Sequence, residues 1–260
     1  MLEIFDSVVS TMGVARANMA AGRVRFDAEN LPDCAGVLAR TQTGGRGQRG
    51  RTWQDVPGES LCVTYYLRLP EPEPERTGEI AFLAGVAVAL ALDEFMAESP
   101  PKETPRIGLK WPNDILLNNR KAGGVLIERM NGADGKPVAL IGLGLNVLTE
   151  NFPPDLAASA TSLLREGIAG KMPEEWAETI YEKIQQAISL RQLRGFSAVL
   201  KLWRKYDVTS GRHYETEING ETVQGMAVGV MSTGALVLSL QGARVVTVEA
   251  ASSLREISSE

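Results

Sequence analysis

Apolar and polar side chains alternate most strictly over residues 61–69, with Leu61, Val63, Tyr65 and Leu67 on one side and Cys62, Thr64, Tyr66 and Arg68 on the other. That period of two predicts a strand. A different pattern fills residues 80–92, an unbroken apolar run closed by Glu79 and Asp93. It predicts a buried helix over about residues 78–97, since a membrane span needs ~20 apolar residues. Shorter runs predict strands at 2–6, 37–40, 106–111 and 115–118, with Asn118-Asn119 as a hairpin turn before Lys121. The strand from Lys121 carries Gly123-Gly124, which suggests a bulge or a closely approached backbone. A turn at 131–135 leads into a strand over 138–147. Ser10-Thr11 reads as the cap of a helix reaching about Ala21, with Gly22 just past its end. Residues 173–190 and 195–206 are amphipathic helices, and 70–75 is an extended acidic spacer. From Val208 onward the texture changes. Short strands at 212–218, 222–231, 235–240 and 243–249 are separated by Asn219-Gly220, Thr233-Gly234 and Gln241-Gly242. They predict a small β-barrel beyond a boundary at Tyr206-Asp207.

The 260 residues leave room for one large domain and one small one. A formal charge of −5 argues against a sequence-independent nucleic-acid binder, which needs a basic face. The first six residues show no basic region and no long apolar core, so no signal peptide is expected. Cys34 and Cys62 form no CxxC pair, so no disulfide framework or zinc site is indicated, and a reducing cytoplasm fits. His213 is the lone histidine, which excludes a His-based triad or a His-rich metal site; no metal-ligating residues are expected.

The chemistry concentrates at Gly44-Gly45-Arg46-Gly47-Gln48-Arg49-Gly50-Arg51-Thr52-Trp53. Glycines let successive amide N–H groups turn toward one anion, and arginine offers a fork suited to phosphate or carboxylate. Trp53 can lay a flat face on a ring or an aliphatic tail. The competing reading is a solvated surface loop, but an apolar run precedes this loop and a tryptophan ends it, which ties both ends to a core. Gly142-Leu143-Gly144 is a weak nucleotide signal, and no helix follows it as a dinucleotide fold requires.

With these pieces placed, the chain resembles the biotin protein ligase family over nearly its full length. The matching residues are Phe5-Asp6-Ser7 with Ser10-Thr11, Gln42 ahead of the Gly/Arg loop, and Lys110-Trp111-Pro112-Asn113-Asp114. They continue with residues 121–128, Gly142-Leu143-Gly144-Leu145-Asn146, Asp155-Leu156 and Ser159-Ala160-Thr161-Ser162. The resemblance implies an α+β fold: a catalytic domain over 1–206, a mixed sheet with helices related to class II aminoacyl-tRNA synthetases, and an SH3-like domain over 207–260. Longer members carry an N-terminal DNA-binding domain, which is not expected here, so neither is DNA binding. It implies a cytoplasmic enzyme, monomer or homodimer, with no membrane association. Such an enzyme joins biotin to ATP as biotinyl-5′-AMP, with Mg2+ arriving on the nucleotide. It then transfers biotin to a lysine of the biotin carboxyl carrier protein of acetyl-CoA carboxylase.

By the same resemblance Lys121 bridges the carboxylate and the α-phosphate, and Asp114 is the candidate to accept or orient the amine proton, unless it only fastens its loop. Ser10, Thr11 and Gln42 would hold the ureido ring. Gly45, Arg46, Gly47 and Gln48 would cover the ligand with Trp53 beside it, and Arg46 counts among the catalytic candidates. Lys110 and Asn113 would line the phosphate end, and Asn146 would meet the adenine. Met12, Gly124, Leu126 and Gly144 complete the binding set. Met12 replaces a common asparagine and Gln48 a usual arginine. Two other readings stay open, a non-catalytic biotin or adenylate binder and a lipoate ligase-like enzyme.

Overall fold

The computed structural model describes residues 1–68, 77–218, 220–249 and 254–257, the side chains of Arg49, Thr77 and Ala243 apart. The acidic spacer at 70–75 and Asn219 of an expected turn lie outside these residues. A seven-stranded mixed sheet carries the first part of the chain. Its strands are β1 (Leu2–Phe5), β2 (Gly36–Ala39), β3 (Ser60–Arg68), β4 (Ile107–Lys110), β5 (Asp114–Leu117), β6 (Arg120–Asn131) and β7 (Pro137–Asn146). They run in the order β1-β2-β3-β7-β6-β5-β4, with β1 and β2 parallel and the other pairs antiparallel.

β3 is buried along all nine of its residues, because helices cover both of its faces. Leu61, Val63, Tyr65 and Leu67 enter the main core with α2 (Thr77–Glu98) and α3 (Pro173–Arg194), and the Tyr65 hydroxyl donates to Ala177 O at 2.8 Å. Tyr66 on the other face packs with Met12, Ala15 and Met19 of α1 (Thr11–Ala20). Each such side chain contributes about 1.5–3 kcal/mol on full burial, which makes this strand the anchor of the sheet. α2 is long and apolar enough to cross a membrane by composition alone, yet 72% of that stretch is buried inside this fold. It is the central core helix.

Local chemistry sets the turns. Asn118 and Asn119 both take positive φ, 48° and 64°, the conformation of a two-residue primed hairpin turn that asparagine tolerates. The β5–β6 pairing shifts between Ile115↔Gly123 and Leu116↔Lys121, so the bulge expected near Gly123 falls on Ala122. α1 starts where expected, but the Ser10 side chain makes no capping bond.

After α4 (Phe196–Tyr206), the chain forms a five-stranded antiparallel sheet in the order β11-β10-β9-β8-β12. Its strands are β8 (His213–Ile218), β9 (Glu221–Val230), β10 (Leu236–Ser239), β11 (Val245–Val248) and β12 (Leu254–Ile257). The last was not expected from the sequence. Tyr214, Leu236 and Leu238 share one core with Phe82 and Trp203. Trp111 fastens the two sheets: its backbone N–H donates to Thr209 Oγ1 at 2.7 Å and its indole N–H to Gly234 O at 2.9 Å.

Candidate active site

Two adjoining cavities of about 230 and 470 Å3 share Thr52, Trp53, Lys110, Asp114, Lys121 and Glu256. Their floor is β7, and the floor explains its glycines. A Cβ at Gly144 would stand 2.5 Å from the Trp53 indole, and one at Gly142 would stand 2.9 Å from Met12 Cε. The Gly-x-Gly spacing therefore serves close approach of side chains to a strand.

One end of the first cavity is neutral and rich in hydrogen bonds. The Thr11 backbone N–H and hydroxyl both donate to Gln42 Oε1, at 2.8 and 3.1 Å. Thr64 Oγ1 lies 2.9 Å from the Thr11 hydroxyl; with the Thr11 proton committed to Gln42, Thr64 donates. The Gln42 carbonyl is thus occupied, and its NH2 donates toward the Cys62 sulfur. The Gln42 backbone N–H donates to Asp55 at 3.0 Å, and burial raises the Asp55 carboxyl above its ordinary pKa despite that donor. Beneath them Cys62 is a thiol that burial pushes up to about 12.

The Gly/Arg stretch folds back on itself. Gly47 N–H donates to Arg51 O at 2.7 Å and Trp53 N–H to Gly45 O at 3.0 Å. Arg46 reaches Glu128 at 3.4 Å, and Arg16 reaches the same carboxylate at 3.1 Å.

The other end is charged. Lys121 Nζ stands 2.5 Å from Asp114 Oδ1, and a Cβ at Gly124 would touch both side chains, at 3.6 and 3.7 Å. Asn113 holds the preceding turn to β6 by donating to Val125 O at 2.6 Å. The Lys121 backbone is stitched to the segment after β7, its N–H to Ser159 O at 2.8 Å and its carbonyl to Thr161 N–H at 2.9 Å. Asn146 Nδ2 donates to Thr161 O at 3.0 Å. A buried carboxylate, Glu166, ties that segment down: Arg120 and Thr161 donate to it at 2.5 Å and Asn118 at 2.6 Å. The charged end therefore hangs on backbone registers that one buried anion secures.

The Biotin/lipoate A/B protein ligase family matches this chain over residues 24–146. A biotin--[acetyl-CoA-carboxylase] ligase of Mycobacterium tuberculosis is 31% identical over 92% of this chain and 85% of its own length. The chain belongs to the biotin protein ligase family. A bifunctional ligase/repressor BirA of Bacillus spizizenii is 28% identical over 82% of this chain, which matches only 63% of that relative. The solved structure of the Aquifex aeolicus biotin protein ligase in complex with biotin and ATP has a TM-score of 0.77 at 22% identity. It covers 98% of this chain and 99% of that one, a likeness that extends to the fold.

Within this biotin protein ligase fold, Ser10, Thr11, Met12, Gln42, Arg46, Gly47, Gln48, Trp53, Lys110, Asn113, Asp114, Lys121, Gly124, Leu126 and Gly144 all line the first cavity. Asn146 lines the second. Gly45 lines neither; a Cβ there would meet Trp53 O at 2.5 Å, so it closes the loop behind the wall. Among the polar lining residues not anticipated are Thr64, Arg212, Tyr214 and Glu256. Thr64 had a signal, since it sits on the more polar side of the β3 alternation. The other three come from the C-terminal sheet and the loop before it, with no motif around them.

Proposed function

We propose that this protein joins biotin to ATP as biotinyl-5′-AMP and transfers the biotinyl group to a lysine of a biotin carboxyl carrier domain. One observation carries the reading: the neutral Thr11–Gln42–Thr64 end and the Lys121–Asp114 pair line the same cavity. The first suits a ring that offers a carbonyl acceptor and N–H donors, and mismatched ligands would leave its buried polar atoms unpaired. The second suits a carboxylate meeting a phosphate.

In the first step a biotin carboxylate oxygen forms a bond to the α-phosphorus while the bridge to the β-phosphate breaks. Pyrophosphate leaves with the electron pair. An ionised carboxylate needs no base, so the protein's task is to hold two anions together and stabilise charge on five-coordinate phosphorus. Lys121 does this, exchanging Asp114 for phosphate oxygens. Arg46 and Gln48 close the loop side. In the second step a neutral amine attacks the acyl carbon and AMP leaves. Free lysine has a pKa near ~10.4, so its proton must go elsewhere, and Asp114, released by Lys121, stands ready to accept or orient it. Magnesium arrives on ATP, held largely by phosphates and water.

The same reading treats 1–206 as a catalytic unit related to class II aminoacyl-tRNA synthetases and 207–260 as an SH3-like unit. It places the protein in the cytoplasm as a monomer or homodimer, without DNA or membrane partners. The test is pyrophosphate release with ATP, magnesium and either biotin or lipoate. Release with biotin is expected. Release with lipoate alone would move the activity to the rival acid, and release with neither would leave only a binder.

A further inference from the structure

Glu256 belongs to β12, opposite Tyr214 of β8, and lines both cavities. Its two oxygens are divided between two cations. Lys110 Nζ donates to one at 2.7 Å and Arg212 to the other at 2.9 Å. Burial alone would raise this carboxyl, but Lys110 and Arg212 outweigh it and hold the group below its ordinary value. Glu256 is therefore a bound anion that happens to be attached to the chain.

Beside it, Tyr214 is fully buried and lines the first cavity, with Lys110 Nζ 5.9 Å from its ring centre. Its hydroxyl has no hydrogen-bond partner among the described residues. Burial pushes the phenol above its ordinary pKa, so it stays a donor. Buried hydroxyls are rarely left unpaired, and a ligand oxygen is a natural partner. Two cations set on two oxygens of one anion, with a spare donor alongside, is an arrangement that suits phosphate.

We propose that Lys110, Arg212 and the Tyr214 hydroxyl form the seat for the outer phosphates of ATP, the pair that leaves as pyrophosphate, and that Glu256 fills this seat until the nucleotide displaces it. The inference rests on the adenylating reaction proposed above. Displacement breaks no strand pairing, because the Glu256 side chain is 35% exposed and can swing into solvent while β12 stays on β8. The phosphates carry more charge than one carboxylate, so they win the cations, and Glu256 sets how tightly they are held. After the first step the carboxylate can return and help expel pyrophosphate.

Binding of inorganic pyrophosphate and of ATP to the parent, Glu256→Gln and Tyr214→Phe tests this, alongside biotin binding and a thermal melt of each variant. Glu256→Gln should bind both phosphate ligands about 10-fold tighter, the lower end expected for one charged hydrogen bond, with biotin affinity unchanged. Tyr214→Phe, which keeps the ring, should bind both about 5-fold weaker. Unchanged or weaker pyrophosphate binding by Glu256→Gln in a folded variant would overturn the competitor role and make Glu256 a support for Lys110. Unchanged binding by Tyr214→Phe would remove the hydroxyl from the seat. If the parent releases no pyrophosphate with biotin, the proposed reaction fails, but a gain in pyrophosphate affinity in Glu256→Gln would still place the seat.

Discussion

Replacing Lys121 by alanine should separate catalysis from stability, because the proposed clamp role rests on its ammonium, paired with Asp114, while its backbone holds the segment after β7. The ammonium is 2.5 Å from Asp114, but the two side chains are 44% and 30% exposed. Solvent screens such a pair, so its loss should cost the fold no more than about 1 kcal/mol. The Lys121 backbone, which holds residues 159–161, is untouched by the change. The chemical step should respond far more strongly. Removing one donor aimed at charge that develops in the transition state typically costs about 100- to 1000-fold, or roughly 2.7–4 kcal/mol of barrier. Biotin affinity should move little, since Thr11, Gln42 and Thr64 bind one another at the other end of the cavity. The assay is single-turnover formation of biotinyl-AMP with enzyme in excess, paired with a urea melt and a biotin titration. Adenylate formation within a few-fold of the parent would refute the charge-clamp role. A fall in activity matched by a large fall in stability would refute the division between the two.

Glu166→Gln removes a buried carboxylate from three donors and should destabilise the protein by about 3 kcal/mol; a urea midpoint equal to the parent's would contradict its role as a hub. Cys62 should resist thiol reagents at pH 8 while half-buried Cys34 reacts, and labelling of both at equal rates would count against its burial. Because the Cys62 pKa is raised to about 12, its contribution is fully present below an ordinary thiol value of about 8.5 and is lost as pH rises toward 12. Cys62→Ala should therefore flatten the fall of stability with pH above about 8.5, and an unaltered slope would refute the linkage. Gln48→Arg should release radiolabelled biotinyl-AMP about 10-fold more slowly than the parent, by adding one charged donor; equal off-rates would sink the idea. A gel shift with operator-like DNA should show no sequence-selective complex, with or without biotinyl-AMP, and a salt-tolerant one would reverse the expectation of no DNA partner.

The strands that build the cavity were legible because each has a local cause. β3 alternates, the β5–β6 turn is Asn-Asn, and the Gly/Arg loop and the Lys-Trp-Pro-Asn-Asp run are dense in chemistry over few residues. The alternation of β3 predicted a strand but not that α1 and the α2–α3 pair would bury both of its faces. Ser10 has the right residue type for a cap but does not act as one. β12 is four residues long, too short to show a period, so Glu256 gave no sign of meeting Lys110. Arg212 and Tyr214 lie on or beside a strand that was expected, but their place in the cavity depends on how two sheets pack.

That packing has a consequence for how the protein comes into being. Lys110 and Glu256 are separated by 146 residues of chain, and the core around Phe82 and Trp203 is incomplete until Tyr214, Leu236 and Leu238 join it. A chain still emerging from the ribosome can therefore bring Thr11, Gln42, Thr64, Asp114 and Lys121 together before Lys110 can meet Glu256. On the proposed function, the ring-binding end is complete once residues 11–64 are in place, and the outer-phosphate seat waits for β12 to pair with β8.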